Sequence, residues 1–323
     1  MNKSDKSEFP ETLQQAMVYF ADPVKGLDFM VSLRWKDGKV TCPHCQSEKV
    51  SFLTTRSKWK CMTCKKQFSA KVGTIMEDSA LGYDKWFPAF WLIANAKNGI
   101  SSYEIHRALG VTQKTAWFLL HRIRLALQNG SIVKFEGQVE SDETFIGGRD
   151  RFRHKAKKQV TSGWKGKTPV QGLLERTTDK RASRVKLKVL KTTRNHEVQG
   201  NVREYVLKGT ELHTDALRSY IGMNQDYVHQ VVDHAICYAK GHVHTNGLEN
   251  FWCLLKRTIK GTYVNCEPFH LFRYLDEQAF RFNEREDTDG GRFLKAVKGI
   301  FGKHLNYNSL TGKGLAEGAL MQA

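Results

Sequence analysis

The chain of 323 residues carries 51 Lys and Arg against 33 Asp and Glu, a formal charge of +18. That length allows two or three domains with a substantial core, and the positive excess favours a polyanionic partner, nucleic acid ahead of an anionic membrane. The longest apolar run, WFPAFWLIANA, is too short to span a bilayer, and the polar start MNKSDKSEFPETLQQ has no export signal, so a soluble cytoplasmic protein is expected.

Residues 1–36 read as an N-terminal helical segment, followed over 37–72 by a metal knuckle. Four of the seven cysteines lie between Cys42 and Cys64, and the others are scattered at Cys237, Cys253 and Cys266, which is no disulfide framework. TCPHC and KCMTC give Cys-x2-Cys, fifteen residues, then Cys-x2-Cys. Each pair can present two thiolates to one tetrahedral ion, so Cys42, Cys45, Cys61 and Cys64 are expected to hold a structural Zn2+, with His44 a less favoured substitute. So small a module has little core, and metal binding would supply most of its folding free energy.

From Leu81 to Gln128 the apolar period is helical, and 80–129 reads as a helix-turn-helix DNA-binding region. Ser101 with Glu104 forms a capping box, Gly110 can end the first helix in a left-handed conformation, and Thr112 can cap the second. Gln113, Lys114 and Thr115 would then open a recognition helix and meet DNA, with Arg122 and Arg124 adding charge further along. The competing reading is an ordinary helical hairpin in a bundle core.

Past Gly130 the composition changes. The stretches 138–148, 168–176, 184–190 and 210–215 alternate or are β-branched and read as strands. A helix over 195–208 and a strand near 227–234 complete a mixed α/β domain from about 137 to 285. Between the first two strands, GGRDRFRHKAKKQVTSGWKGKT holds eight Lys or Arg and one acid, a loop suited to backbone phosphates. In HVHTNGLENFWCLLKRTIKG, Leu248, Phe251, Trp252, Leu255 and Ile259 form one helical stripe. At about 100° per residue, Glu249 and Lys256 share one flank of that stripe, whereas Asn250 points elsewhere. Asn246 and Glu249 also fit a local capping box, and Lys256 a solvated flank.

Asp142 within a strand, Asp215 after another and Glu249 on that helix jointly fit phosphoryl transfer, where carboxylates hold two divalent metals roughly 3.5–4 Å apart. Glu140 and Glu143 compete with Asp142 for the first position. The motifs TCPHC and KCMTC, VESDETFIGG, HTD, HTNGLENFWCLLKRTIKGTY and YLDEQAFRFNER resemble, in order and spacing, the ISXO-type transposases of bacterial insertion sequences, from about Gly26 to Arg285. The resemblance implies a multidomain α+β chain: zinc ribbon, helix-turn-helix, then a ribonuclease-H-like α/β DDE domain over 137–285 and a C-terminal tail over 286–323. It carries the catalytic triad onto Asp142, Asp215 and Glu249, which would hold Mg2+ or Mn2+, with Asn250 competing for the third place. It carries a basic residue, seven positions on, onto Lys256. The function implied is cleavage and strand transfer at terminal inverted repeats of double-stranded DNA, by a homodimer or larger assembly. A derived DNA-binding regulator and a nuclease without strand transfer are the rival readings.

Overall fold

A computed structural model describes residues 9–128, 133–147, 166–179, 181–232 and 243–313. Most of the basic loop between the first two predicted strands, residues 148–165, lies outside the described residues. The chain divides into two units, residues 1–128 with 287–322, and residues 129–286. Among the described residues, no helix is long and apolar enough to cross a membrane.

In the first unit, side-chain caps set the opening helices. Thr12 accepts the Gln15 amide to start α1 (Leu13–Ala21), and Asp22 accepts the Val24 amide to start α2 (Pro23–Arg34), whose first position is a proline with no N–H to satisfy. A three-stranded antiparallel sheet follows: β1 (Val50–Leu53), β2 (Lys58–Cys61) and β3 (Gln67–Phe68). Its register places Trp59 opposite Phe52 and Phe68, and the Trp59 ring lies 5.0 Å from Phe52 and 5.6 Å from Trp35.

Three helices come next, α3 (Tyr83–Asn95), α4 (Ser102–Leu109) and α5 (Gln113–Leu127). The aromatic core of the unit joins Phe20 of α1, Phe29 of α2, and Phe87 and Trp91 of α3 to Phe293. Phe293 belongs to a helix over Asp289–Lys298, so the segment read as a tail returns to build this core. Phe293, Ala296, Val297 and Ile300 are all buried, at i, i+3, i+4 and i+7, the period of a helix with one apolar face. Packing there is close, because a Cβ on Gly299 would stand 2.1 Å from the Ala126 carbonyl oxygen.

The second unit is built on one five-stranded sheet. It comprises β4 (Gln138–Ile146), β5 (Thr168–Glu175), β6 (Arg184–Val189), β7 (Glu211–Asp215) and β8 (Val228–Val232), in the order β6-β5-β4-β7-β8. The first three strands in sequence are antiparallel neighbours, whereas β4, β7 and β8 run parallel. The crossover from β6 to β7 passes through α6 (Asn195–Tyr205), whose Val198 and Val202 pack on Val139, Leu173 and Leu212. Against Ile146, Val170 and Leu174 of β4 and β5 lie α7 (Asn246–Thr258) and α8 (Leu271–Asn283). Because both faces are covered, β4 is buried along much of its length, and its alternate residues meet two different cores. Leu248, Phe251 and Leu255 are fully buried, each contributing about 1.5–3 kcal/mol in removing apolar surface from water.

Candidate active site and metal centre

The four ribbon cysteines converge. Their sulfurs all lie within 4.8 Å of one another, with Cys42 to Cys64 at 3.7 Å and Cys45 to Cys61 at 3.5 Å. A tetrahedral zinc with bonds of about 2.3 Å has S···S edges of about 3.8 Å, so the donor set fits structural Zn2+. Gln46 and Lys65, each directly after a Cys pair, adopt φ of +59° and +62° and turn the chain back around the sulfurs. The Cys64 amide donates to the Cys61 sulfur at 3.4 Å, and this N–H, with the Thr63 amide and the neighbouring thiols, holds the Cys61 thiol below its ordinary value. His44 is exposed and outside this group.

Between α4 and α5 the predicted local chemistry is present. Ser101 and Glu104 make the capping box, Gly110 has φ +64°, and Thr112 caps α5. Gln113 and Thr115 are half-buried and Lys114 is exposed, all in the first turn of α5. Gln113 donates to the Ser102 hydroxyl at 2.9 Å, and the Lys114 ammonium sits 4.7 Å from the centre of the Tyr307 ring. Arg122 and Arg124, expected to add outward charge, are instead buried. Arg122 donates to the Glu77 carbonyl and stacks on Trp86 and Phe118. Both therefore serve the interior, where the helix turns its later basic positions away from solvent.

The three acids come from three elements of the second unit. Asp142 is on β4, Asp215 ends β7, and Ser141 pairs with Thr214 in the parallel ladder, so the two aspartates follow side by side on one face. Glu249 reaches the same face from α7, which packs on β4 and β5. One Asp142 oxygen accepts the Trp252 indole N–H and the other the Glu143 amide, both at 2.8 Å. Burial is the main reason its carboxyl is pushed up to about 6, and the charges of Asp215 and Glu249 push the same way against these two donors. Asp215 uses one oxygen to accept the Leu217 amide at 3.1 Å, a turn that fixes the carboxylate at the strand end. The capping box of Asn246 with Glu249 does not form. The helix begins at Asn246 with Thr245 as its cap and no side-chain capping bond, so Glu249 occupies the fourth position, not the third.

The competing acids have other surroundings. Glu143 faces the opposite side of the sheet, takes a hydrogen bond from the buried Tyr220 hydroxyl, and is pushed up to about 8 by burial above all. Glu140 is buried and paired with Arg176 at 2.7 Å. Asn250 and Glu249 are both exposed, while Lys256 is half-buried two turns further along α7. Among the described residues the four cysteines are the group gathered tightly enough to hold an ion, and Asp142, Asp215 and Glu249 are not gathered to that degree.

Sequence reasoning missed Trp252 as a partner of Asp142, and missed Gly172. Gly172 pairs with Asp142 across β4 and β5, and a Cβ there would stand 2.7 Å from the Trp252 ring. The bare backbone lets α7 lie close enough for the indole to reach the aspartate. A strand glycine opposite a candidate acid was the available signal.

Two family models match the chain. Residues 134–283 match the ISXO2-like transposase domain, and residues 25–67 match the transposase zinc-ribbon domain. A protein of Halobacterium salinarum, described as an uncharacterized protein in transposable element ISH50, is 25% identical over 260 residues, covering 74% of this chain and 83% of that protein. The zinc-ribbon match precedes the transposase-domain match along the chain, so the ribbon and most of the mixed α/β unit are each similar to parts of insertion-element transposases.

Proposed function

We propose that the protein binds the terminal inverted repeats of its insertion sequence and carries out metal-dependent DNA cleavage and strand transfer at Asp142, Asp215 and Glu249. The observation that carries this reading is the placement of the three acids, with Asp142 on β4, Asp215 at the end of its parallel neighbour β7 and Glu249 in the first turns of α7, which packs on β4. Three carboxylates from a central strand, its parallel neighbour and a packed helix form an all-oxygen donor set suited to Mg2+ or Mn2+. Such ions, when bound, activate the attacking oxygen and stabilise the leaving one. The sheet, three antiparallel strands extended by two parallel ones, supports a ribonuclease-H-like domain.

The protein's own groups supply position and charge. Trp252 orients Asp142, and Lys256 offers an ammonium to a neighbouring phosphate. Around the α4–α5 turn, Gln113, Lys114 and Thr115 open a recognition helix, with the ribbon as a second DNA contact. Cleavage of a transposon-end duplex in Mg2+ tests the assignment. Asp142→Ala, Asp215→Ala and Glu249→Ala should each abolish cleavage while leaving end binding largely intact. Cleavage by Glu249→Ala together with inactivity of Asn250→Ala would move the third position to Asn250. Hydrolysis without joining to a target would leave a nuclease.

A further inference from the structure

The start of α7 lacks a local cap, and what replaces it points to residues outside the acid triad. The first amides of a helix have no partner within the helix and need an acceptor from elsewhere. Thr245 makes no side-chain capping bond, and the Leu248 amide donates to Glu140 Oε2 at 3.0 Å, so a strand carboxylate caps the helix across the packing interface. Glu140 is 1% exposed, and its other oxygen takes the Arg176 Nε–H at 2.7 Å. Arg176 then donates through Nη2 to the His244 carbonyl at 2.7 Å and to His244 Nδ1 at 2.9 Å, fixing the chain just before the helix. Gly247 allows the approach, because a Cβ there would lie 2.8 Å from Glu140 Oε2.

We propose that Glu140 and Arg176 are positioning residues which, through the Leu248 amide and His244, fix the first turn of α7 so that Glu249 meets Asp142 and Asp215. Glu140 sits two residues before Asp142 on the same face of β4, and Leu248 directly precedes Glu249. One short strand segment therefore presents the first acid and sets the place of the third. The buried carboxylate is balanced by a guanidinium, an amide and the positive end of a helix, so it holds its geometry without solvent. With Trp252 on Asp142 as a second brace one turn later, α7 is fixed both along and around its axis.

The inference rests on the carboxylate site proposed above, and Mn2+ affinity separates the two. The full-length protein, its zinc in place, is titrated with Mn2+ by calorimetry alongside thermal unfolding and zinc content. Asp142→Asn should remove Mn2+ binding. Glu140→Gln and Arg176→Met should weaken it tenfold or more, the usual effect of groups that orient ligands without touching the metal. Gly247→Ala is the decisive variant, since alanine is the better helix former yet its methyl would displace the Glu140 contact. It should stay cooperatively folded with its zinc content unchanged while weakening Mn2+ binding by a similar factor. Folded Gly247→Ala with Mn2+ affinity within twofold of the parent overturns the positioning role, even if Glu140→Gln fails to fold. Undiminished Mn2+ binding by Asp142→Asn would overturn the site itself, and the positioning role with it.

Discussion

Asp142→Asn should stabilise the second unit at neutral pH while abolishing cleavage. Burial, with Asp215 and Glu249 nearby, lifts the Asp142 carboxyl from 3.8 to about 6. At about 1.4 kcal/mol per tenfold, keeping it ionised in the fold costs about 3 kcal/mol. Between those two values the folded protein binds the extra proton, so the stability is fully present below 3.8 and is lost as the pH rises through about 6. Asparagine has one acceptor for two donors, the Trp252 indole and the Glu143 amide, which now use separate oxygens at 2.8 Å each. One unpaired donor costs about 1–2 kcal/mol, leaving a net gain of about 1–2 kcal/mol at neutral pH. The assay is thermal unfolding of the second unit in magnesium-free buffer that leaves zinc in place, where the gain should raise its midpoint by several degrees. Toward pH 5 the advantage should shrink, because the parent carboxyl takes up its proton there. Added Mg2+ should then stabilise the parent and leave the variant unmoved. A variant no more stable than the parent at neutral pH, or an advantage independent of pH, would refute the reasoning.

Purified protein should contain one zinc per chain by elemental analysis, and Cys61→Ser/Cys64→Ser should lose it; unchanged zinc in that variant would sink the four-thiolate site. Gln113→Ala or Lys114→Ala should weaken specific DNA binding more than non-specific binding, by about 1–3 kcal/mol of discrimination in competition with scrambled duplex. Equal losses on both duplexes would make α4 and α5 a core hairpin. Lys256→Ala should keep the fold and zinc but reduce strand transfer, and should flatten the salt dependence of end binding by roughly 0.9 in log–log slope. Lys256→Arg should retain much more activity, and an unchanged slope with unchanged transfer in Lys256→Ala would leave the lysine a solvated flank residue.

The elements that could be read from sequence were those whose signal is local. The strands β4 to β8 and the stripe of α7 show in alternation and three-to-four spacing, and each metal knuckle carries its two ligands within four residues. Gly110 and the Ser101–Glu104 pair likewise mark a turn by chemistry that acts over a few positions. The contributions that stayed hidden come from distant segments meeting. Phe293 lies in the segment read as a C-terminal tail, and nothing local says that its ring completes a core begun at Phe20. Arg122 and Arg124 read as outward charge because composition cannot tell a solvated guanidinium from one bonded to a carbonyl and stacked on rings.

The candidate site follows the same division. Glu249 stood out through its place on a helical flank, but a local capping box with Asn246 explained it equally well. Tertiary structure removes the capping box, because Glu140 supplies the acceptor that a capping side chain would have offered. Once the cap comes from β4, the helix can start one residue earlier and Glu249 leaves the capping position. Gly172 and Gly247 enter by the same route: each lacks a side chain where α7 presses on the sheet, one beneath Trp252 and the other against Glu140. An acid triad spread over more than a hundred residues can have no short-range geometry. In the proposed site, its geometry would rest on such close approaches, those of Gly172 to Trp252 and of Gly247 to Glu140 with its Arg176 partner.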